Sequence, residues 1–113
     1  MDLKLLNKVA IVTGASRGIG KSIAENLVLH GVKVAIISRD LKSLIAIKDN
    51  IKSDNILCFE CDVTNYKQFE NVTNQIYKEW GKIDILINNA GITRDKILLR
   101  LSEKDWDDVL DTN

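Results

Sequence analysis

One stretch limits what this chain can become. Thr13-Gly14-Ala15-Ser16-Arg17-Gly18-Ile19-Gly20 follows the apolar run Val9-Ala10-Ile11-Val12 and opens an amphipathic segment that continues to His30. That order reads as a strand, a glycine-rich turn and a helix. Glycines permit dihedrals and close backbone approaches that a Cβ would block. A helix N-terminus presents free N–H groups and the positive end of its dipole. Together they form a place for a phosphate or pyrophosphate.

The rest of the chain repeats the same alternation. Residues 8–13 are a continuous apolar strand, as expected for a strand buried on both faces. Ile19, Ile23, Ala24, Leu27 and Val28 fall at helical spacing and predict a helix over 18–30, with Gly31 as its C-cap glycine. Residues 32–38 are the second strand. Leu41, Leu44, Ile45, Lys48 and Ile51 predict a second helix, with Ile47 off its main stripe. The third strand runs from Ile56 to Glu60. Asp62-Val63-Thr64-Asn65 supplies turn and capping residues for a third helix, which carries Phe69, Val72, Ile76 and Trp80 on one face and ends before Gly81. The fourth strand is expected over 83–88, and a loop with Gly91 follows. Ser102 would then cap a further helix with acidic residues in its first turn.

Strands alternating with helices indicate βαβ units on a parallel sheet. Right-handed crossovers set successive strands side by side. The expected fold is therefore α/β, a Rossmann-type doubly wound sheet in the order 3-2-1-4, with its switch point between strands 1 and 4. The glycine turn and Asn88-Asn89-Ala90-Gly91 both reach that crevice.

Composition supports one folded domain over residues 1–113. Of the 113 residues, 45% are apolar, enough for a core and too many for a disordered chain. Sixteen basic residues balance sixteen acidic ones, so charge gives no reason to expect nucleic acid or an anionic membrane as partner. The apolar runs fall far short of a membrane span, and Met1-Asp2-Leu3-Lys4 lacks a signal-peptide layout. The expected compartment is the cytoplasm.

Cys58 and Cys61 are spaced as C-x-x-C. A redox pair would be expected at a helix N-terminus, whereas Ile56-Leu57-Cys58-Phe59 reads as a strand. The two are read as buried small residues near a strand end. With His30 as the sole histidine, no metal site is expected.

The glycine turn fits two phosphate-binding patterns. As a loose Walker-type loop, Ala15 to Ser22 would send Lys21 to the β- and γ-phosphates and Ser22 to magnesium. An acid at a later strand end would then be needed, and Asp62 is a candidate. As a dinucleotide-binding turn, Gly14 makes the turn, Gly18 admits the pyrophosphate, Gly20 packs helix against sheet and Lys21 lies on the surface. The second pattern also accounts for residues 88–91, and the first does not.

With both turns in place the chain resembles the short-chain dehydrogenase/reductase family. The matching segments are Thr13 to Gly20, Cys61-Asp62-Val63-Thr64 and Asn88-Asn89-Ala90-Gly91. The tail (Gly91 to Asp95, Leu98-Leu99-Arg100 and Trp106 to Asn113) looks like the 3-oxoacyl-acyl-carrier-protein reductases of bacterial fatty acid biosynthesis. The resemblance implies an oxidoreductase reducing 3-oxoacyl thioesters on acyl carrier protein, assembled as a homotetramer. It implies that Gly14, Ser16, Arg17, Gly18, Ile19 and Gly20 form the turn at the cofactor phosphates and ribose. Asp62 and Val63 would hold the adenine, and Asn89, Ala90 and Gly91 would sit beside the adenosine-side ribose. Asn113 matches the family's active-site asparagine, which kinks its helix and binds a water of the proton relay.

Charge bears on the cofactor. An acid at the end of strand 2 would bond a ribose 2′-hydroxyl and repel a 2′-phosphate. Here Ser38-Arg39 stands there, with Arg17 in the facing turn, and two guanidiniums suit a phosphate dianion. The expected cofactor is NADPH. If strand 2 ended one or two residues later, Asp40 would face the ribose instead.

The family's catalytic serine and Tyr-x-x-x-Lys lie after the active-site asparagine, where this sequence stops. Tyr66 is followed four residues on by Glu70, and Tyr77 by Gly81, so neither matches. The expectation is a stretch from the first part of a chain of roughly 250 residues. The alternatives are a reductase of the same family with another substrate, and a nucleotide-binding module without chemistry.

Overall fold

The computed structural model describes residues 4–16 and 18–89. The elements are β1 (Val9–Thr13), α1 (Gly18–Leu29), β2 (Lys33–Ser38), α2 (Leu41–Ile51), β3 (Ile56–Glu60), α3 (Tyr66–Trp80) and β4 (Ile85–Ile87). The four strands form one parallel sheet in the order β3-β2-β1-β4, as the alternation predicts. Among the described residues no helix is long and apolar enough to cross a membrane.

Period-2 side-chain alternation sorts the apolar residues onto the two sheet faces. Ala10 and Val12 of β1 and Val34 and Ile36 of β2 pack with Ala24 of α1 and with Leu44 and Ile47 of α2. Val9 and Ile11, with Ala35 and Ile37, pack with Phe69, Val72 and Ile76 of α3. The central strands are thus covered on both sides, which is why they read as unbroken apolar runs.

Helix ends follow local chemistry. At the end of α1, Gly31 has φ +83°, its N–H donates to Val28 O (3.0 Å), and Val32 N–H donates to Leu27 O (3.1 Å). This is a Schellman closure, and it needs a residue that tolerates positive φ. Asn65 caps α3 by accepting from Gln68 N–H (3.1 Å), and Gly81 closes it with φ +77°.

Three expectations are corrected. In α2 it is Ile47, 5% exposed, that joins the buried stripe with Leu44, while Ile45 is 45% exposed. Leu44, Ile47 and Ile51 share the i, i+3, i+7 line that faces the sheet, and Ile45 lies one step round the helix. Ile19, expected on the buried stripe of α1, is 71% exposed. It sits in the first turn, ahead of the point where Gly20 and Ala24 meet the core. The ladder of β4 spans only Ile85–Ile87 rather than 83–88. Asp84 explains the late start: its N–H donates to Val9 O, and its carboxylate Oδ2 accepts from Val9 N–H, both at 2.8 Å. A side chain therefore takes the donor that a strand carbonyl would have taken. Lys82 Nζ approaches the same oxygen at 3.2 Å.

Candidate functional site

The site lies beyond the carboxyl ends of the strands. Its floor is the contact between the end of β1 and the segment after β4. Thr13 is fully buried. Its Oγ1 accepts from Asn89 N–H at 2.9 Å and lies 3.4 Å from Ile87 O and 3.5 Å from Asn88 Oδ1. Asn89 Nδ2 donates to Gly14 O at 3.3 Å. The two turns singled out in the sequence do meet, joined through two side chains.

The glycines have separate physical reasons. Gly14 and Gly18 have φ of +62° and +63°, where a Cβ is strained. A Cβ on Gly18 would have nothing within 4 Å, so the space beside it is open. Gly20 is the opposite case: a Cβ there would lie 2.4 Å from Gly14 O and 2.7 Å from Asn89 Nδ2. Gly20 thus lets α1 seat on the knot that joins β1 to β4. Lys21, one step further, is paired across a helical turn with Glu25 at 3.9 Å on an exposed face. This agrees with the surface placement of the dinucleotide pattern rather than with a lysine aimed at phosphates.

A cavity of about 610 Å³ opens on the β2 and β3 side of this floor. Gly14 and Ser16 line it from the β1 turn, Ser38, Arg39 and Asp40 from the β2 turn, and Asp62, Val63 and Thr64 from the β3 turn. Of the residues expected at the site, Gly14, Ser16, Arg39, Asp62 and Val63 therefore share one cavity. Gly18, Gly20 and Asn89 adjoin it through the turn, and Ile19 is open to solvent beside it. Arg17, Ala90, Gly91 and Asn113 lie outside the described residues.

Local hydrogen bonds shape the walls. Asp62 Oδ1 accepts from Thr64 N–H (3.0 Å) and Thr64 Oγ1 (2.7 Å). Those two donors, and beyond them the Arg39 guanidinium, hold the Asp62 carboxyl below the usual carboxylate range. Gln68 Oε1 accepts from Asp62 N–H at 2.9 Å, so the first turn of α3 also orients this residue. Asp40, the open question of the β2 turn, caps α2. Its Oδ1 accepts from Ser43 N–H (3.3 Å) and its Oδ2 from Ser43 Oγ (2.6 Å). β2 ends at Ser38, whose Oγ accepts from Asp40 N–H at 3.1 Å.

Cys58 and Cys61 are both free thiols. Cys58 packs on the α2 side and donates to Leu44 O (3.4 Å), while Cys61 lies in the core under α3. Opposite faces of the sheet rule out a C-x-x-C redox pair here, and burial pushes both thiols up. Sequence reasoning missed Thr13 as a tie between strands and Ser43 and Thr64 as cavity walls. A serine or threonine two or three residues after an aspartate at a turn was the available signal for the last two. For Thr13 no local signal exists, because its partners lie 74–76 residues away.

Comparison with known proteins agrees with this geometry. The model of the short chain dehydrogenase family matches residues 8–113. The 3-oxoacyl-acyl-carrier-protein reductase FabG of Vibrio cholerae is 47% identical over 111 residues, which cover 98% of this chain and 45% of that protein. FabG of Escherichia coli K12 is 43% identical over 106 residues, covering 94% and 43%. The chain thus spans less than half the length of these relatives. Among solved structures, a short chain dehydrogenase from Bacillus anthracis superposes with a TM-score of 0.74 at 34% identity, over 96% of this chain and 44% of that one. A 3-ketoacyl-acyl-carrier-protein reductase from Brucella melitensis complexed with NADH shares the fold at a TM-score of 0.69 and 24% identity, over 85% and 43%. With a glycine turn of the matching form, the strand order 3-2-1-4 and a family match along nearly its whole length, this chain belongs to the short-chain dehydrogenase family.

Proposed function

We propose that these residues form the cofactor-binding part of an NADPH-dependent reductase. The enzyme converts 3-oxoacyl thioesters on acyl carrier protein into 3-hydroxyacyl thioesters, in the cytoplasm, as part of fatty acid synthesis. The substrate reading rests on the likeness to FabG proteins along nearly the whole chain. The cofactor reading rests on one observation: the β2 turn offers Arg39 to the cavity while the Asp40 carboxylate is engaged as the cap of α2.

The residues present fit a dinucleotide phosphate. Gly14 and Gly18 hold positive φ, the space beside Gly18 is open, and the cavity continues from that turn to Arg39 and Asp62. When bound, the nicotinamide supplies a hydride. The chain's own residues hold and orient the nucleotide. Backbone N–H groups at the start of α1 face the pyrophosphate, aided by the helix dipole. Val63 and Asp62 border the adenine, and Arg39 with Arg17 neutralises a 2′-phosphate as a charge-assisted pair. Ser38 Oγ accepts from Asp40 N–H, which leaves its own proton to donate to a phosphate oxygen. Asn113, by resemblance, belongs to the proton relay that protonates the alkoxide left by hydride transfer.

The test begins with the coding sequence beyond the codon for Asn113. A frame continuing through a serine and a Tyr-x-x-x-Lys supplies a general acid, and the full protein then oxidises NADPH with a 3-oxoacyl thioester. A stop codon, or a full protein that binds NADPH and turns over no such thioester, would overturn the reading.

A further inference from the structure

The turn between β2 and α2 carries a positive and a negative side chain in succession, Arg39 and Asp40, and both line the cavity. Their order in sequence does not decide which of them a bound ribose meets. The decision lies in the first turn of α2. Ser43 supplies two donors to Asp40: its backbone N–H to Oδ1 at 3.3 Å and its hydroxyl to Oδ2 at 2.6 Å. The backbone bond is an ordinary N-cap contact and is available to any residue at that position. The second bond requires a side-chain hydroxyl at that position. Ser43 itself also lines the cavity.

We propose that Ser43 is a positioning residue for cofactor choice. Its hydroxyl holds Asp40 Oδ2 against α2 and competes with a ribose 2′-hydroxyl for that oxygen. Held so, the carboxylate sits at the positive end of the helix dipole, where its field on a 2′-phosphate is partly offset. Without the hydroxyl, Oδ2 lacks that donor. A ribose 2′-hydroxyl can replace it, whereas a 2′-phosphate has no proton to give and adds like-charge repulsion. The inference rests on the NADPH reading above and extends it to a residue that need not touch the phosphate.

The test is the ratio of NADPH to NADH affinity, from fluorescence titrations of the full chain expressed from its gene. Ser43→Ala keeps the backbone cap, and alanine is the better helix former, so α2 persists. The expected result is a fall of about tenfold in preference for NADPH, the size of one exposed charge contact. Ser43→Thr, which restores a hydroxyl, recovers the wild-type ratio. Asp40→Asn combined with Ser43→Ala abolishes the fall, because the charge is gone. A merely structural role would weaken both cofactors alike, and an unchanged ratio in Ser43→Ala overturns the proposal. A wild-type protein with no preference for NADPH overturns the 2′-phosphate reading instead, since Ser43 is judged only by the change in the ratio.

Discussion

The two halves of the site are held by different kinds of bond. On the β1 and β4 side, the ties that join the two segments span most of the described chain: Asn89 to Thr13, Asn89 to Gly14 and Val9 to Asp84 join residues 75 or 76 apart. On the β2 and β3 side, the side-chain bonds that shape the cavity walls are two to six residues long. Asp40 with Ser43, Asp62 with Thr64 and Gln68, and Asn65 with Gln68 are all of this kind. The first half exists only when the sheet has assembled. The second half can form within each connecting segment and is merely carried into place by the strands. The glycine turn therefore depends on global folding, and the cavity walls at the β2 and β3 turns depend on local chemistry.

Substitutions can break this contrast, beginning at the knot. Gly20→Ala places a methyl 2.4 Å from Gly14 O, a backbone atom that cannot swing aside. We expect a loss of about 3 kcal/mol, the upper range for overpacking, read as a lowered thermal midpoint with the glycine turn displaced. A midpoint equal to wild type would mean that the knot is softer than its geometry. Thr13→Val keeps the volume but removes the acceptor for Asn89 N–H. The expected cost is about 1–3 kcal/mol, with faster amide exchange at Asn89 and at the end of β1. If exchange instead rose at Thr64 and Gln68, the two halves would not be separate.

Smaller effects are expected where bonds are local. Asn65→Ala removes the cap of α3 and should cost about 1 kcal/mol, with fraying confined to the first turn of α3. Protection at Thr13 and Asn89 should be unchanged. The smallest effect is electrostatic. The Asp62 carboxyl is held low in the folded chain by Thr64, so its contribution is present above the unfolded carboxylate range. That contribution is lost as pH falls through the folded value. Thr64→Val should raise the Asp62 titration towards the ordinary carboxylate range, seen as a shifted NMR midpoint below pH 5. An unmoved titration would assign the low value to the backbone N–H of residue 64, which valine keeps, and to Arg39.

Much of this architecture is legible in the sequence because it arises from short-range rules. Apolar runs alternating with helical stripes, together with crossover handedness, were enough for the order 3-2-1-4. Gly31 and Gly81 mark the ends of α1 and α3, and Asn65 marks the start of α3. What local pattern could not weigh is competition between nearly equivalent neighbours. Ile45 and Ile47 are equally apolar, and only the orientation of α2 on the sheet buries the second. Arg39 and Asp40 are adjacent charges, and only the end of β2 at Ser38, with Ser43 beyond, commits Asp40 to a helix cap.

The sequence by itself determined parts whose partners lie within a helical turn or a tight loop: the end of α1 at Gly31, both ends of α3 at Asn65 and Gly81, and the Asp62 turn. In these the backbone geometry and the partner are encoded together, so no assembly is needed to bring them into contact. Only the tertiary structure decided that Thr13 ties β1 to the segment after β4. It also decided that Asp84 stands in for a strand carbonyl at Val9, and that the close packing expected of Gly20 is made against Gly14 O and Asn89 Nδ2. Each depends on the register of parallel strands about 75 residues apart. That register is set by packing both faces of the sheet at once, and no local window of the chain contains it.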